Sequence, residues 1–559
     1  MDKLRWSSAL LAVPLMAWVG LQVAGLLVLL LLRLDTALLE TTTWLQYARA
    51  VDLPQVRPYA PRIRLAGGVG LLAGLCGYAC VLWLVWRRRA RALHGDARFA
   101  NPLDLARCGL LGSGDDGIIV GSAMGRLLRL RGQQFAILAA PTRSGKGVGV
   151  VVPNLLDYRE SVVVLDIKQE NFGLTSGWRA AQGHDVYLFN PFAHDRRTHR
   201  WNPLHYVSDD PAFRVSDLMG IAAMLYPDAG PEQKFWVSQA RNAFLAFALY
   251  LFENHDDARA SGFPVAPAAP TLGAVHRLSS GDGTPLRGYL EALARRPFLG
   301  ADARLAFANL LSQADETFAS ILGTFKEPLN AWINPVLDAA TSGDDFLLTD
   351  LRRRRMTVYV GIQPDKLAES RVIVNLFFSQ VVNQNTRVLP GNDPGLKHQC
   401  LLLMDEFTSI GRVDIIASAV AYMAGYNLRL LPIIQSMAQL DATYGKDVAR
   451  TLLTNHALQI IYAPREQQDA NDYSDMLGYT TRRSTSVTRG RGRDVSRSES
   501  DERRALMLPQ ELKALGATRQ VVLYEGLAHP VLCDKIRYYR NASFRRRLLA
   551  PLAVPLLPT

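Results

Sequence analysis

The chain has 559 residues, 49% of them hydrophobic, with 63 lysines and arginines against 51 aspartates and glutamates, a net charge of +12. At roughly 100–200 residues per unit, that length predicts two to four structural units rather than one core. The five cysteines, Cys76, Cys80, Cys108, Cys400 and Cys533, form no close pair with Cys or His at metal spacing, which argues against a zinc site or disulfide scaffold and fits a reducing compartment.

The charge is unevenly spread. Residues 1–92 hold 11 Lys and Arg against 4 Asp and Glu, so the rest of the chain is only +5 and its basicity is no argument for nucleic acid. Ala9 to Leu32 is a run of 24 uncharged residues, and at 1.5 Å per residue a helix of that length crosses the ~30 Å hydrocarbon core. A second uncharged run, 65–86, ends in Trp83 and Trp86 and is followed by Arg87, Arg88, Arg89 and Arg91, as suits an interfacial belt with a cytoplasmic anchor. Together they predict a membrane-spanning hairpin, since the first run is longer than the apolar part of a signal peptide and a second span follows. Gly70 and Gly74 form a G-x-x-x-G pair suited to close helix approach. Five arginines in the intervening loop leave orientation open on charge alone; use of ATP downstream would put both ends in the cytosol.

Next, an apolar strand over 135–140 leads into Ala140, Pro141-Thr142-Arg143-Ser144 and Gly145-Lys146-Gly147, then a helical pattern. Against G-x-x-x-x-G-K-[ST], the second glycine and the lysine are kept, so Thr142, Arg143, Ser144, Gly145, Lys146 and Gly147 are candidate nucleotide-binding residues. Gly145 permits backbone N–H groups to wrap a phosphate, and Lys146 is suited to span the outer phosphates. Gly147 removes the hydroxyl that normally touches Mg²⁺, a coordination position left to water or a carboxylate.

"SVVVLD" (Ser161–Asp166) and "CLLLMDE" (400–406) are apolar strands that end in acids. Only the second has adjacent carboxylates, a pattern in which Asp405 holds Mg²⁺ through water and Glu406 orients and deprotonates an attacking water. Asp166 either supports that site or simply ends a strand. Further strands are predicted over 356–362, 428–435 and 458–463, with helices over 371–387 and 415–425; Gln435 closes one strand where its amide could sense a phosphate. Strands alternating with helices imply an α/β fold, a parallel sheet flanked by helices with ligands at the carboxyl ends of the strands.

Residues 202–345 lack strand alternation and carry amphipathic runs over 235–252 and 312–340, the latter with Ser312 as a cap followed by Asp315. Phe235, Trp236, Phe244 and Phe247 are expected as core. The polar, Arg/Ser/Gly-rich stretch 480–504 reads as a mobile loop, its six arginines between Arg482 and Arg497 suited to a phosphate backbone or a neighbouring subunit. Arg352–Arg355 and Arg545–Arg547 are expected as solvated faces.

In combination and order, the hairpin, "HGDARFA" (94–100), "APTRSGKGVGVVVPNLL", "VVVLDIKQENFGLTSGWR", "FNPF", "RWNPL", "LLLMDEF", "IIQSMAQLDATYGKD" and "RRALMLPQEL" resemble the coupling proteins of type IV secretion, the TraG/TraD-like conjugation ATPases. The resemblance implies a RecA-like P-loop domain with an inserted all-α domain and an N-terminal two-helix hairpin: 1–92 membrane, 93–201 and 346–545 nucleotide-binding, 202–345 all-α, 546–559 tail. It further implies a homo-hexameric inner-membrane ATPase using ATP and Mg²⁺. Its partners would be the channel and ATPase components of the secretion system, and its cargo effector proteins or a relaxase with single-stranded DNA. By position the family's nucleotide residues would be Lys146, Asp405, Glu406 and Gln435, with Arg503 and Arg504 as candidates for an arginine acting across subunits; a matching arginine just before Gly425 is absent. Two competing expectations are an ATP-binding receptor that assembles without turnover and a chromosome pump of the FtsK type, the latter disfavoured by two spans rather than four.

Overall fold

The computed structural model describes residues 2–86, 93–112, 117–228, 230–261, 268–489 and 495–558. Arg87, Arg88, Arg89 and Arg91, and Arg491 and Arg493 of the polar stretch, lie outside the described residues. The chain forms two compact units, Met1–Leu93 and His94–Thr559.

In the first unit, helices Asp2–Leu32 and Ala60–Trp86 pack antiparallel, with candidate spans Ala9–Leu32 and Arg57–Val85. The second helix begins before the uncharged run because its Arg62 and Arg64 fall within its first turns. Glycines make the contact: a Cβ on Gly74 would stand 2.9 Å from the Met16 carbonyl oxygen, and one on Gly70 would stand 2.5 Å from that of Gly20. Backbones this close are possible only without side chains between them.

Among its described residues the second unit is built on an eleven-stranded sheet: β1 (Ile118–Ala123), β2 (Arg126–Leu130), β3 (Ala136–Ala139), β4 (Ser161–Asp166), β5 (Asp185–Phe189), β6 (Met356–Gly361), β7 (Cys400–Met404), β8 (Leu428–Ile434) and β9 (Leu458–Ile461), joined by β12 (Arg519–Tyr524) and β13 (Val531–Asp534) once the paired strands β10 (Tyr479–Arg489) and β11 (Val495–Ala505) have intervened. Spatial order is β2-β1-β13-β12-β9-β3-β8-β7-β4-β6-β5. From β9 to β5 every pairing is parallel; from β9 outward to β2 every pairing is antiparallel. The parallel strands β4, β6, β7 and β8 are buried at every residue because both faces are covered. Val163 and Leu165 join Leu402 and Met404 in the core on one face, while Val162 and Val164 join Leu401 and Leu403 on the other. Those two faces are the two-residue period of the strand made visible.

Among the described residues no strand lies between β5 and β6. Helices Pro211–Leu225, Lys234–Ala260, Leu272–Ser280, Leu286–Ala294, Ala301–Leu311, Asp315–Leu329 and Pro335–Ala340 fill the interval. Phe247 stacks on Phe325 at 5.2 Å and meets Phe307 edge-on at 5.8 Å, and Phe244 is equally buried. Phe235, expected as core, is 48% exposed and turns edge-on to Trp236. Ser312 is not a cap at a helix start: it closes the helix Ala301–Leu311, and the next begins at Asp315 with Ala314 in the capping position.

Three more expectations are corrected. The stretch 480–504 is not a loop but most of the antiparallel ribbon β10–β11, paired from Tyr479↔Ala505 to Arg489↔Val495. Its backbone groups satisfy one another across the ribbon, so pairing needs no apolar burial, and Arg483 adds contacts to Glu499 and Asp501 at 3.2 and 3.6 Å. Arg352 is buried rather than solvated, bonded to Asn385 Oδ1 and to the carbonyls of Val388 and Tyr426. Arg547 donates to Asp157, whose carboxylate also meets Arg129. Residues 546–558 pack back on the sheet unit: Thr198 donates to the Pro555 carbonyl, and Leu557 is buried.

Candidate functional site

β3 delivers the chain to the Lys146 loop. Ala140 N–H donates to the Ile434 carbonyl at the end of neighbouring β8, and the chain then leaves the sheet. Two left-handed residues, Arg143 (φ 59°) and Gly145 (φ 88°), fold the loop back on itself. A Cβ on Gly145 or Gly147 would meet nothing within 4 Å, so both face open space. A single wide turn, Gly147–Val151, precedes the helix Val152–Asp157. Pro153, which has no N–H to offer the preceding turn, follows at once. Gly149 is confined from behind by the Tyr462 hydroxyl, where any side chain would collide.

β7 delivers the acids. Asp405 follows its last residue, and Glu406 turns the chain with φ 56°. The Lys146 Nζ stands 2.9 Å from Asp405 Oδ1 and 3.3 Å from Glu406 Oε1, though the lysine and the glutamate are 260 positions apart. The contact to Asp405 is a charge contact: its Oδ1 is buried and accepts no hydrogen bond among the described residues. Burial pushes the Asp405 carboxyl up from its ordinary value, against the pull of the Lys146 ammonium.

β4 lies beside β7 with Leu165 opposite Met404, so Asp166 and Asp405 end adjacent strands. Asp166 accepts from Phe172 N–H at 2.8 Å and from the Asn171 side chain at 3.1 Å, capping the next helix with its carboxylate. Burial lifts its pKa to about 7, opposed by those N–H groups and reinforced by the charge of Asp405. Gln435 follows β8, and its Oε1 accepts from the Thr142 hydroxyl at 2.9 Å and from Gln439 at 3.4 Å.

A cavity of about 440 Å³ opens among these groups, walled by Thr142, Arg143, Gly145, Lys146, Gly147, Asp166, Asp405 and Glu406 together with Val148, Val152, Lys168, Glu170, Leu174 and Tyr538. Of the expected site residues, Gln435 stands behind Thr142 rather than in the wall, and Ser144 turns away, its hydroxyl buried without a partner among the described residues. Arg503 and Arg504 are not in the wall either. Arg503 lies over the Tyr479 ring at 3.5 Å and Arg504 bonds Glu511 at 2.5 Å, both at the base of the ribbon. Three further residues carry no motif and went unseen in the sequence: Arg465 donates to the Thr142 carbonyl at 2.9 Å, Lys535 reaches the Ser144 carbonyl at 3.5 Å, and Tyr538 closes one side of the cavity.

With a lysine-bearing loop, two acids across from it and the strand order of a doubly wound sheet in view, comparison with known proteins decides the family. The family model described as type IV secretory system conjugative DNA transfer matches residues 109–556. The chain belongs to that family. It is thus a type IV coupling protein. The protein VirD4 of Agrobacterium fabrum (strain C58) is 33% identical over 469 residues, covering 81% of this chain and 67% of VirD4. The conjugal transfer protein TraG of Escherichia coli is 28% identical over 499 residues, covering 81% and 76%. Among solved structures, the conjugative coupling protein TrwBdeltaN70 in complex with sulphate superposes with a TM-score of 0.56 at 19% identity, over 81% of this chain and 97% of its own. TrwB in complex with ADP and Mg²⁺ gives 0.55 at 18%, over 81% and 96%. At such identity the likeness shows that this coupling protein shares the TrwB fold.

Proposed function

We propose that this coupling protein binds ATP with Mg²⁺ in the Lys146 cavity and hydrolyses it to deliver cargo from the cytoplasm to a type IV secretion channel. The observation that carries the reading is the meeting of Lys146 with Asp405 and Glu406 in one cavity. The residues present fit the ligand. An ammonium already held by two carboxylates can exchange them for phosphate oxygens, and the open faces of Gly145 and Gly147 leave room beside the loop backbone. Asp405 and Glu406 in the wall suit Mg²⁺, a cation held by one or two carboxylates, water and phosphate.

Bound MgATP would supply a phosphoryl group whose charge the metal partly neutralises. The chain's own residues then divide the work. Lys146 would lend positive charge to the outer phosphates, Asp405 would hold the metal through water, and Glu406 would orient the attacking water and take its proton. Gln435, tied to Thr142, reports the state of the loop to the end of β8.

The further parts of the reading rest on family membership and on the two apolar helices. The first unit anchors the protein in the inner membrane as a two-span hairpin with the main unit in the cytoplasm. The residues near 93–201 and 346–545 form the motor, 202–345 an all-α cargo domain, and six copies assemble beside the channel and its other ATPases. Relaxase-bound single-stranded DNA is the favoured cargo given the family's description, with effector proteins as the other class. Arg503 and Arg504 remain the arginines assigned to a neighbouring subunit's site, through release of the contacts they make within the chain.

Phosphate release by the full chain in detergent tests the reading. Wild type should hydrolyse ATP in a Mg²⁺-dependent way, and Glu406→Gln should bind nucleotide yet release phosphate at least about 100-fold more slowly. Nucleotide binding without Mg²⁺-dependent phosphate release by wild type would leave the second reading, a nucleotide-binding scaffold without turnover, which the missing hydroxyl at Gly147 favours; equal non-zero rates would remove Glu406 from its role.

A further inference from the structure

The cavity is graded from charged to apolar. Lys146, Asp405, Glu406 and Asp166 cluster at the strand ends, whereas Val152 and Leu174 belong to a separate apolar cluster that also borders the cavity. Tyr538 stands on that apolar side and is the sole aromatic residue among the described residues of the wall. Its turn, Tyr538–Arg540, packs directly against the turn Gly147–Val151. The ring is half-buried at the edge of the cluster formed by Val152, Ile536 and Phe544, and its hydroxyl makes no hydrogen bond among the described residues. Three residues earlier, Lys535 reaches the Ser144 carbonyl, so the segment after β13 is tied to the loop itself.

A nucleoside triphosphate whose charged end meets Lys146 has Val152, Leu174 and Tyr538 in the same cavity to receive its uncharged end. A base is a flat π-system without charge, and a half-buried aromatic ring is a surface that suits it. We infer that Tyr538 is the base platform of this site, a residue that contacts the nucleotide's base while the loop holds its phosphates. The inference rests on the nucleotide reading above and adds the residue that tells a nucleotide from a bare polyphosphate.

Direct binding to the detergent-solubilised full chain tests it, using a fluorescent ATP analogue with Mg²⁺ displaced either by ATP or by inorganic tripolyphosphate. Tyr538→Ala and Tyr538→Leu should each weaken ATP binding about five- to tenfold, Tyr538→Phe should stay within about twofold of wild type, and tripolyphosphate should bind all four proteins alike. Tyr538→Leu keeps apolar contact with the cluster, so a loss there cannot be blamed on unfolding. Equal ATP affinity in wild type and Tyr538→Leu would overturn the assignment. Parallel loss of ATP and tripolyphosphate would also overturn it, since Tyr538 would then act by propping the loop. Failure of wild type to bind either ligand would instead sink the nucleotide reading and this inference with it.

Discussion

Replacing Lys146 with alanine should separate nucleotide affinity from folding. The ammonium sits 2.9 and 3.3 Å from two carboxylates, and its side chain is only 13% exposed, so water screens it little. Unit charges about 4 Å apart interact by ~4 kcal/mol at an effective dielectric of 20. Phosphate must compete with Asp405 and Glu406 for the same cation, which leaves a net contribution of about 2–3 kcal/mol. That corresponds to binding weaker by about 30- to 150-fold at 1.4 kcal/mol per decade. Lys146 lies in the cavity wall, outside the apolar clusters of the described residues, so the unfolding midpoint should move little. Isothermal titration of Mg²⁺ and a non-hydrolysable ATP analogue into wild type and Lys146→Ala measures both affinities directly. Binding by Lys146→Ala within threefold of wild type would refute the reasoning, because the cation would then face something other than phosphate.

Three further outcomes follow from buried groups. Asp166 holds its proton more tightly folded, at about pH 7, than unfolded, near 3.8; its contribution is therefore full below about pH 4 and lost as pH rises through 7. Thermal midpoints of wild type should fall over that interval more steeply than those of Asp166→Asn, and identical slopes would contradict the assignment. Arg352→Leu strands one buried and two part-buried oxygens and should cost about 2–3 kcal/mol, whereas Arg353→Ala breaks one half-exposed pair and should cost far less; chemical denaturation that ranks them equally would be the contrary result. Phe247→Ala should remove about 3–5 kcal/mol from the helical region and raise its protease sensitivity while the Lys146–Asp405 cavity still binds nucleotide.

The parallel strands were legible in the sequence because burial on both faces writes an unbroken apolar run. Ser161–Asp166 matches its predicted bounds, and the runs at Cys400, Leu428 and Leu458 begin where predicted. The antiparallel edge was not legible: β2 carries Arg126 and Arg129, and β12 opens with Arg519 and Gln520, so charge breaks each run. The ribbon β10–β11 was missed for a related reason. Its order comes from main-chain pairing, which apolar periodicity does not record. At the site, Lys146, Asp405 and Glu406 stood out through spacing, whereas Arg465 and Lys535 reach the loop's carbonyls, and Tyr538 the cavity wall, from distant segments. No local residue pattern marks such contacts. Arg352 shows the same limit from the other side, since a run of four arginines looks solvated until the fold buries one of them.

The most direct test of the account is a structure of the full chain with Mg²⁺ and a non-hydrolysable ATP analogue. In it the Lys146 ammonium should have left Asp405 and Glu406 for phosphate oxygens, with Asp405 on the metal's side of the cavity. Density for the nucleotide elsewhere, with Lys146 still paired to Asp405, would contradict it.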